Sequence, residues 1–413
     1  MFTQLRIRDF KALESAEIDL ARISIFIGPN NSGKTSALQA LDLLLGALAG
    51  EDNVAGGRWI AGPDRQILLS SLVRIGSRRD SVSIGVSYRD ESDYASSGLS
   101  RPMISQDVIF GDTGYRSHRY EVKLNGAEKL LIEFDALTGH TSVGDTYFVR
   151  SLEFAIESTQ LASQPFDLRR EAAASDAPQV HELRGLARAL SGAATRRFWS
   201  GPFRGILQDN FAFSSKSTSS PRDAGEALSG LEYHKEVEER LVGWSQRIAG
   251  HRVEPRLLEG LSHRITGSVR VGDRWVNLGS LGSGSVQLVE ALYPLAIADQ
   301  GSVVGIEEPE IHLHPRAQVE LVRVIDEASR DRNLQVLMTT HSEHILFGAL
   351  GLVSSGVAGH DDIAVTAFAR EGDIARATSH SVDKHGRLSG GLDQFFETGV
   401  EELAALVEST TDG

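Results

Sequence analysis

Between residues 23 and 48 the chain runs from an apolar stretch, Ile23-Ser24-Ile25-Phe26-Ile27, through Gly28-Pro29-Asn30-Asn31-Ser32-Gly33-Lys34-Thr35, into helical spacing that lasts to about Leu48. The apolar stretch reads as a strand buried on both faces. The eight residues after it match G-x-x-x-x-G-K-[ST] in the strand-then-helix setting that this pattern requires. Each position has a chemical reason. Gly28 and Gly33 let the backbone turn so that successive N–H groups face inward, where phosphate oxygens can sit. The helix beginning at Lys34 adds its positive dipole end. Lys34 supplies a point charge for the β and γ phosphates, and the Thr35 hydroxyl ligates Mg²⁺. Pro29, Asn30, Asn31 and Ser32 complete the cradle and Ser36 follows it, so Gly28 to Ser36 are expected to contact nucleotide. ATP and Mg²⁺ are the expected cofactors. The competing reading is a glycine loop that merely closes a βα unit.

Three further segments carry chemistry. Val303-Val304-Gly305-Ile306-Glu307-Glu308-Pro309-Glu310 is an apolar strand ending in carboxylates. Glu307 is placed to support the metal, and Glu308 to orient an attacking water or accept its proton. Val336-Leu337-Met338-Thr339-Thr340-His341-Ser342 is a second buried strand, ending in a histidine that can bond a γ phosphate and the attacking water. Leu281-Gly282-Ser283-Gly284-Ser285-Val286-Gln287 places a glycine-flanked serine at a helix start, a second anion-binding element. One nucleotide does not need two such loops in one chain. Ser283 and Gly284 are therefore expected to cap the γ phosphate held by a second copy; the plainer alternative is a helix-start turn.

In the order glycine loop, LGSGSVQ, IEEPE and TTHS, these elements resemble the ABC-type ATPase heads of the SMC, RecF and OLD families. The similarity is greatest to compact bacterial AAA-family, OLD-like ATPases. RIRDFKALESAEIDLARISIFIGPNNSGKTSALQAL is similar to their opening, and EEPEIHLHP followed by THSEHIL to their Walker B, D-loop and switch regions. The resemblance covers about Met1 to Gly50 and Arg264 to Leu346 well and the middle loosely. It implies a P-loop NTPase head of α/β class, with a central mostly parallel sheet, an antiparallel β annex and a helical insertion. It implies an ATP-sandwich homodimer in which Lys34 and Thr35 bind phosphate and metal, Glu307 supports the metal, Glu308 is the catalytic carboxylate and His341 the switch. WSGPFRGIL resembles a Gly-Pro-x-Arg segment of such proteins, which makes Arg204 a nucleotide or domain contact. The signature departs from the transporter-like SGGQ, Glu307 stands where transporters use Asp, and no Q-loop glutamine is placed.

The rest of the chain frames this core. The expected division is 1–150 for an N-terminal lobe with the β annex, 151–263 for a mainly helical insertion, and 264–413 for a C-terminal lobe. Short strands are predicted at Val82–Tyr88, Val108–Phe110, Arg119–Leu124, Lys129–Phe134 and Thr146–Val149, helices at about Gln179–Ser191 and Ala224–Ile248, and a last helix at about Leu392–Val407. Among 413 residues there is no cysteine, which removes disulfides and thiolate sites and fits a reducing interior. The N-terminus carries no secretory pattern, and Ala37 to Ala49 is too short to span a bilayer. A cytoplasmic protein with no membrane partner is expected. A net charge of −14 disfavours indiscriminate binding to nucleic acid.

The function read from these features is a dimeric ATPase switch acting on DNA or on a separate effector polypeptide, in DNA repair or phage defence. Asp361, Asp362, Glu371 and Asp373 form no E…DxD set, so no Toprim nuclease is expected in this chain. Two readings compete. One is a nucleotide-sensing regulatory module without hydrolysis. The other is a metal-dependent hydrolase built on His312, His314, His341, His344 and the Glu cluster.

Overall fold

The computed structural model describes residues 1–49, 54–55, 58–60, 66–89, 103–111, 114–123, 129–135, 140–143, 190, 192–200, 211–212, 235–258, 261–271, 274–277 and 283–390. Its strands assemble mainly into one 13-stranded sheet. In chain order these are β1 (Phe2–Phe10), β2 (Leu13–Asp19), β3 (Ile23–Ile27), β4 (Val82–Arg89), β5 (Met103–Gly111), β6 (Gly114–Lys123), β7 (Lys129–Asp135), β8 (His140–Val143), β9 (Arg197–Ser200), β10 (Val303–Glu307), β11 (Gln335–Thr340), β12 (Ile363–Glu371) and β13 (Ile374–His380). The spatial order is β8-β7-β6-β5-β4-β1-β2-β13-β12-β3-β11-β10-β9.

The stretch β12-β3-β11-β10-β9 is parallel throughout. From β1 outward to β8 every pairing is antiparallel. The antiparallel annex is thus a continuation of the central sheet, joined to it by a single parallel bridge, Leu13 to Ala375. Five helices are described: α1 (Lys34–Leu48), α2 (Lys235–Ala249), α3 (Ser283–Ile297), α4 (Pro315–Asp331) and α5 (Glu343–Ser354).

Two cores explain why the parallel strands are apolar along their length. On one face, α1 packs through Leu38, Leu41 and Leu45 with Phe26, Leu337 and Phe368. On the other, α2 to α5 cover Ile23, Ile25, Ile27, Val304, Ile306, Val336 and Met338. Side chains that alternate along a strand therefore meet helices on both sides, as a parallel sheet requires. Local signals start the helices. His314 caps α4 by accepting from Arg316 N, with Pro315 at the first helical position. Ser342 caps α5 by accepting from His344 N at 3.1 Å and Ile345 N at 3.4 Å.

The start of β11 is tied to the start of β1 and to the residues before β3. Buried Gln335, the first residue of β11, accepts from Phe2 N at 2.9 Å and donates to Phe2 O at 2.7 Å and Ala21 O at 3.0 Å. One amide side chain thereby satisfies three backbone groups.

Several expectations need amendment. β5 and β6 extend further than the short runs predicted, and β8 was not anticipated. Residues 151–263, expected to be mainly helical, contribute strand β9 to the edge of the main sheet. They also contribute Val253–Leu258, which pairs with Leu261–Val271 in a small separate sheet. Short β-runs next to turns are missed because they lack period-two length. Of the helix predicted at Ala224–Ile248, the described part is α2. Thr146–Val149, the Gln179–Ser191 helix apart from Leu190, and the C-terminal helix lie outside the described residues.

One glycine in this sheet has a steric reason. Gly305 of β10 lies directly opposite Trp199 of β9, and a Cβ on it would fall 1.6 Å from the indole ring. Gly305→Ala is expected to destabilise the protein by about 1–3 kcal/mol, measured by denaturant unfolding, because the ring must leave its place. In a Trp199→Ala background the same change is expected to cost less than half as much; an equal cost in both backgrounds refutes the steric account.

Candidate functional site

The five parallel strands β12, β3, β11, β10 and β9 end at the same edge of the sheet, and there the sequence places its polar residues. The loop after β3 turns through left-handed backbone at Gly28 (φ 149°), Asn31 (φ 65°) and Gly33 (φ 107°). Gly28 has no substitute: a Cβ there would lie 2.1 Å from the carbonyl oxygen of Phe368 on β12. At the head of α1, Lys34 Nζ donates to Gly28 O at 2.7 Å and Pro29 O at 2.8 Å and stands 3.2 Å from His341 Nε2. The loop thus curls around its own lysine.

The ends of β10 and β11 close on this loop. Thr35 Oγ1 donates to Glu307 Oε2 at 2.8 Å. Glu308 has a left-handed backbone (φ 47°), held by a hydrogen bond from its N–H to Thr339 O at 2.9 Å. A non-glycine residue in that region is strained by about 1–3 kcal/mol, and such strain collects at functional sites. The turn points Glu308 across to β11, where its Oε1 lies 2.9 Å from His341 Nε2. Two sets of contacts therefore meet here from three separate segments: Thr35 with Glu307, and His341 Nε2 with Glu308 and Lys34.

Burial depresses Lys34 to about 8, against the upward pull of Glu308, Glu310 and Glu307. Burial also raises the Glu310 carboxyl, opposed by hydrogen bonds from Thr340 and the His341 N–H. Ser32 Oγ is buried inside the glycine loop and has no hydrogen-bond partner among the described residues. A phosphate oxygen suits this setting, since it would give Ser32 and the loop N–H groups an acceptor and Lys34 a counter-charge. A hydroxyl beside a carboxylate at Thr35 and Glu307 suits a hard cation with its water shell.

The remaining expected residues fall as follows. Ser283 opens α3, and Gly284 packs against the loop after β10 so closely that a Cβ would lie 2.8 Å from His312 O. Ser285 Oγ is 2.9 Å from His251 Nε2. Arg204, Leu281 and Gly282 lie outside the described residues. The histidines do not gather: His314 is used as the α4 cap and His344 is exposed in the first turn of α5. Among the described residues no three His, Asp or Glu side chains form a group able to hold a metal. Of the downstream acids, Asp362 bonds Arg22, Glu371 bonds Arg376, and Asp361 pairs with His360. No described helix is long and apolar enough to cross a membrane.

Sequence reasoning gave no role to Glu310, Thr340, Gln318 or Ser342, which form the hydrogen-bonded layer behind His341. Only the tight spacing of polar residues after each buried strand hinted at it.

Comparison with known proteins agrees with this architecture. Residues 1–155 match the family model "AAA ATPase domain", and residues 147–346 match "AAA domain, putative AbiEii toxin, Type IV TA system". An OLD nuclease from Thermus scotoductus is 39% identical over 46 residues, a match spanning 11% of this chain and 9% of that protein. Among solved structures, an Smc head bound to the C-winged helix domain of ScpA aligns over 93% of this chain and 99% of its own, with TM-score 0.52 and 12% identity. The SMC head domain from Thermotoga maritima aligns over 92% of this chain and 99% of its own, with TM-score 0.44 and 13% identity. Two AAA-type ATPase family models thus follow one another over residues 1–346, and the Smc head shares the fold of this chain.

Proposed function

We propose that this protein binds ATP with Mg²⁺ and hydrolyses it in a head-to-head homodimer, working as a nucleotide-driven switch on DNA or on a separate effector protein. The observation that carries this reading is the convergence of Glu308 Oε1 and Lys34 Nζ on His341 Nε2, at 2.9 and 3.2 Å, with Thr35 on Glu307 beside it. Phosphate binding alone does not call for a strained carboxylate aimed at a histidine.

On this reading Gly28 to Ser36 cradle the phosphates, with Lys34 exchanging its loop carbonyls for phosphate oxygens. Thr35 and Glu307 hold the magnesium and its waters, and the cation when bound neutralises charge on the β and γ phosphates. Glu308 accepts the proton of the attacking water. His341, already bonded to Glu308, senses the γ phosphate through the same nitrogen. Ser283 and Gly284 complete the site of a second copy. The placement of Gly284 against His312 supports this role, because it joins the start of α3 to the loop that follows the catalytic strand. Action in DNA repair or phage defence follows from the OLD-like resemblance alone. A regulatory module that senses nucleotide without hydrolysis is the second reading, and turnover separates the two.

Lys34→Ala is expected to weaken ATP binding at least about 100-fold, measured with a fluorescent nucleotide; unchanged affinity removes the phosphate-loop assignment. Glu308→Gln is expected to lower kcat at least about 100-fold while ATP-bound dimers accumulate in light scattering. An absence of turnover in the native chain favours the sensing module. The pH dependence has a definite sign. Lys34 must be charged to meet phosphate, and its free-state value is about 8. ATP affinity is therefore expected to be level below pH 8 and to fall as pH rises above it. Lys34→Arg, whose charge persists, should show no such fall, and parallel profiles for the two proteins count against this origin.

A further inference from the structure

The strand end that presents His341 is gripped by a carboxylate from a different segment. Glu310, in the loop between β10 and α4, is 7% exposed. Its Oε1 accepts from Thr340 Oγ1 at 2.7 Å and from His341 N at 2.7 Å. One oxygen thus binds two consecutive residues where β11 leaves the sheet. Thr340 Oγ1 in turn accepts from Ser342 N at 2.9 Å. The Ser342 hydroxyl bonds Gln318 Oε1 on α4, and Gln318 Nε2 donates to Leu313 O at 2.8 Å, back in the loop that carries Glu310. The layer closes on itself.

The His341 ring is held differently. Its Nε2 faces Glu308 Oε1 at 2.9 Å and Lys34 Nζ at 3.2 Å, and among the described residues nothing bonds its Nδ1. Functional histidines are commonly aimed by a partner on the second ring nitrogen. In its absence the ring direction depends on where the backbone of His341 is fixed.

We propose that Glu310 is a positioning residue: by clamping Thr340 Oγ1 and His341 N with one oxygen, it aims the His341 imidazole at Glu308. The inference deepens the hydrolysis reading and rests on it for its functional meaning. Removing the shared acceptor leaves the buried Thr340 hydroxyl and the half-buried His341 N–H without it, and they must find new partners by moving the strand end. A glutamine keeps the acceptor oxygen and differs little in shape. Burial already pushes the Glu310 carboxyl toward its protonated form, so the neutral amide is a close mimic. A displacement of His341 by about an ångström is enough to cost on the order of 100-fold in rate.

The test uses the full chain with ¹⁵N-labelled histidine and no nucleotide, the His341 signals being assigned with His341→Gln. In the native background, Glu308→Gln is expected to shift the His341 ring nitrogens, because their hydrogen-bond partner changes. The same response is expected in Glu310→Gln, and less than about a quarter of it in Glu310→Ala. In turnover, Glu310→Ala is expected to lose about 10- to 100-fold in kcat with KM within about threefold, and Glu310→Gln to recover to within about threefold of native. A full His341 response in Glu310→Ala, or a Gln variant as impaired as the Ala variant, overturns the proposal. Should Glu310→Ala fail to melt cooperatively, Thr340→Val removes one of the two clamped donors. An intermediate response then supports the clamp and an unchanged one overturns it. A native chain that turns over no ATP but shows the expected ring-nitrogen pattern sinks the hydrolysis reading and leaves the clamp standing.

Discussion

A strand covered by helices on both faces has no place for a charge except at its end. β3, β10 and β11 are such strands, and because they run side by side and parallel, their carboxyl ends emerge along one edge. The polar residues that the core excludes are thereby delivered to the same spot from three distant parts of the sequence. The spacing of the candidate site is in this sense a by-product of two-sided burial. Its accuracy comes afterwards, from hydrogen bonds among the residues that arrive there.

Those bonds show how little slack remains. Three glutamates surround a single lysine, yet burial still outweighs their attraction in setting that lysine's proton affinity. Each carboxylate has a different anchorage: Glu307 on the Thr35 hydroxyl, Glu308 on a histidine, Glu310 on the strand that presents the histidine. On the proposed reading, neighbouring acids of identical type take metal, water and backbone respectively. Position alone, not chemistry, divides the labour.

The glycine loop, the acidic strand end and the strand that ends at His341 were legible as structural elements because each is a short, strongly patterned run with its flanking context intact. Their meeting was legible too, since parallel apolar strands imply a shared edge. What could not be read was the layer behind them. The role of Glu310 depends on Thr340, thirty residues away in sequence, and Gln318 acts through Ser342 from another helix. Such pairings have no period and no motif. The same holds for β9, four residues whose strand character comes from lying against β10 and not from any alternation of their own. The antiparallel strands were recognised as a group, but not their fusion with the central sheet through one bridge, because a single pairing between β2 and β13 leaves no trace in composition.

The facing pair Trp199 and Gly305 carries an implication for how this sequence can drift. The indole fills the space that any side chain at 305 would claim, so the smaller residue cannot grow until the larger one has shrunk. Replacing the aromatic first makes a later change at 305 less costly. While the tryptophan is kept, any side chain at position 305 meets the ring and carries a stability cost. Two positions more than a hundred residues apart in the chain are in that respect a single heritable unit.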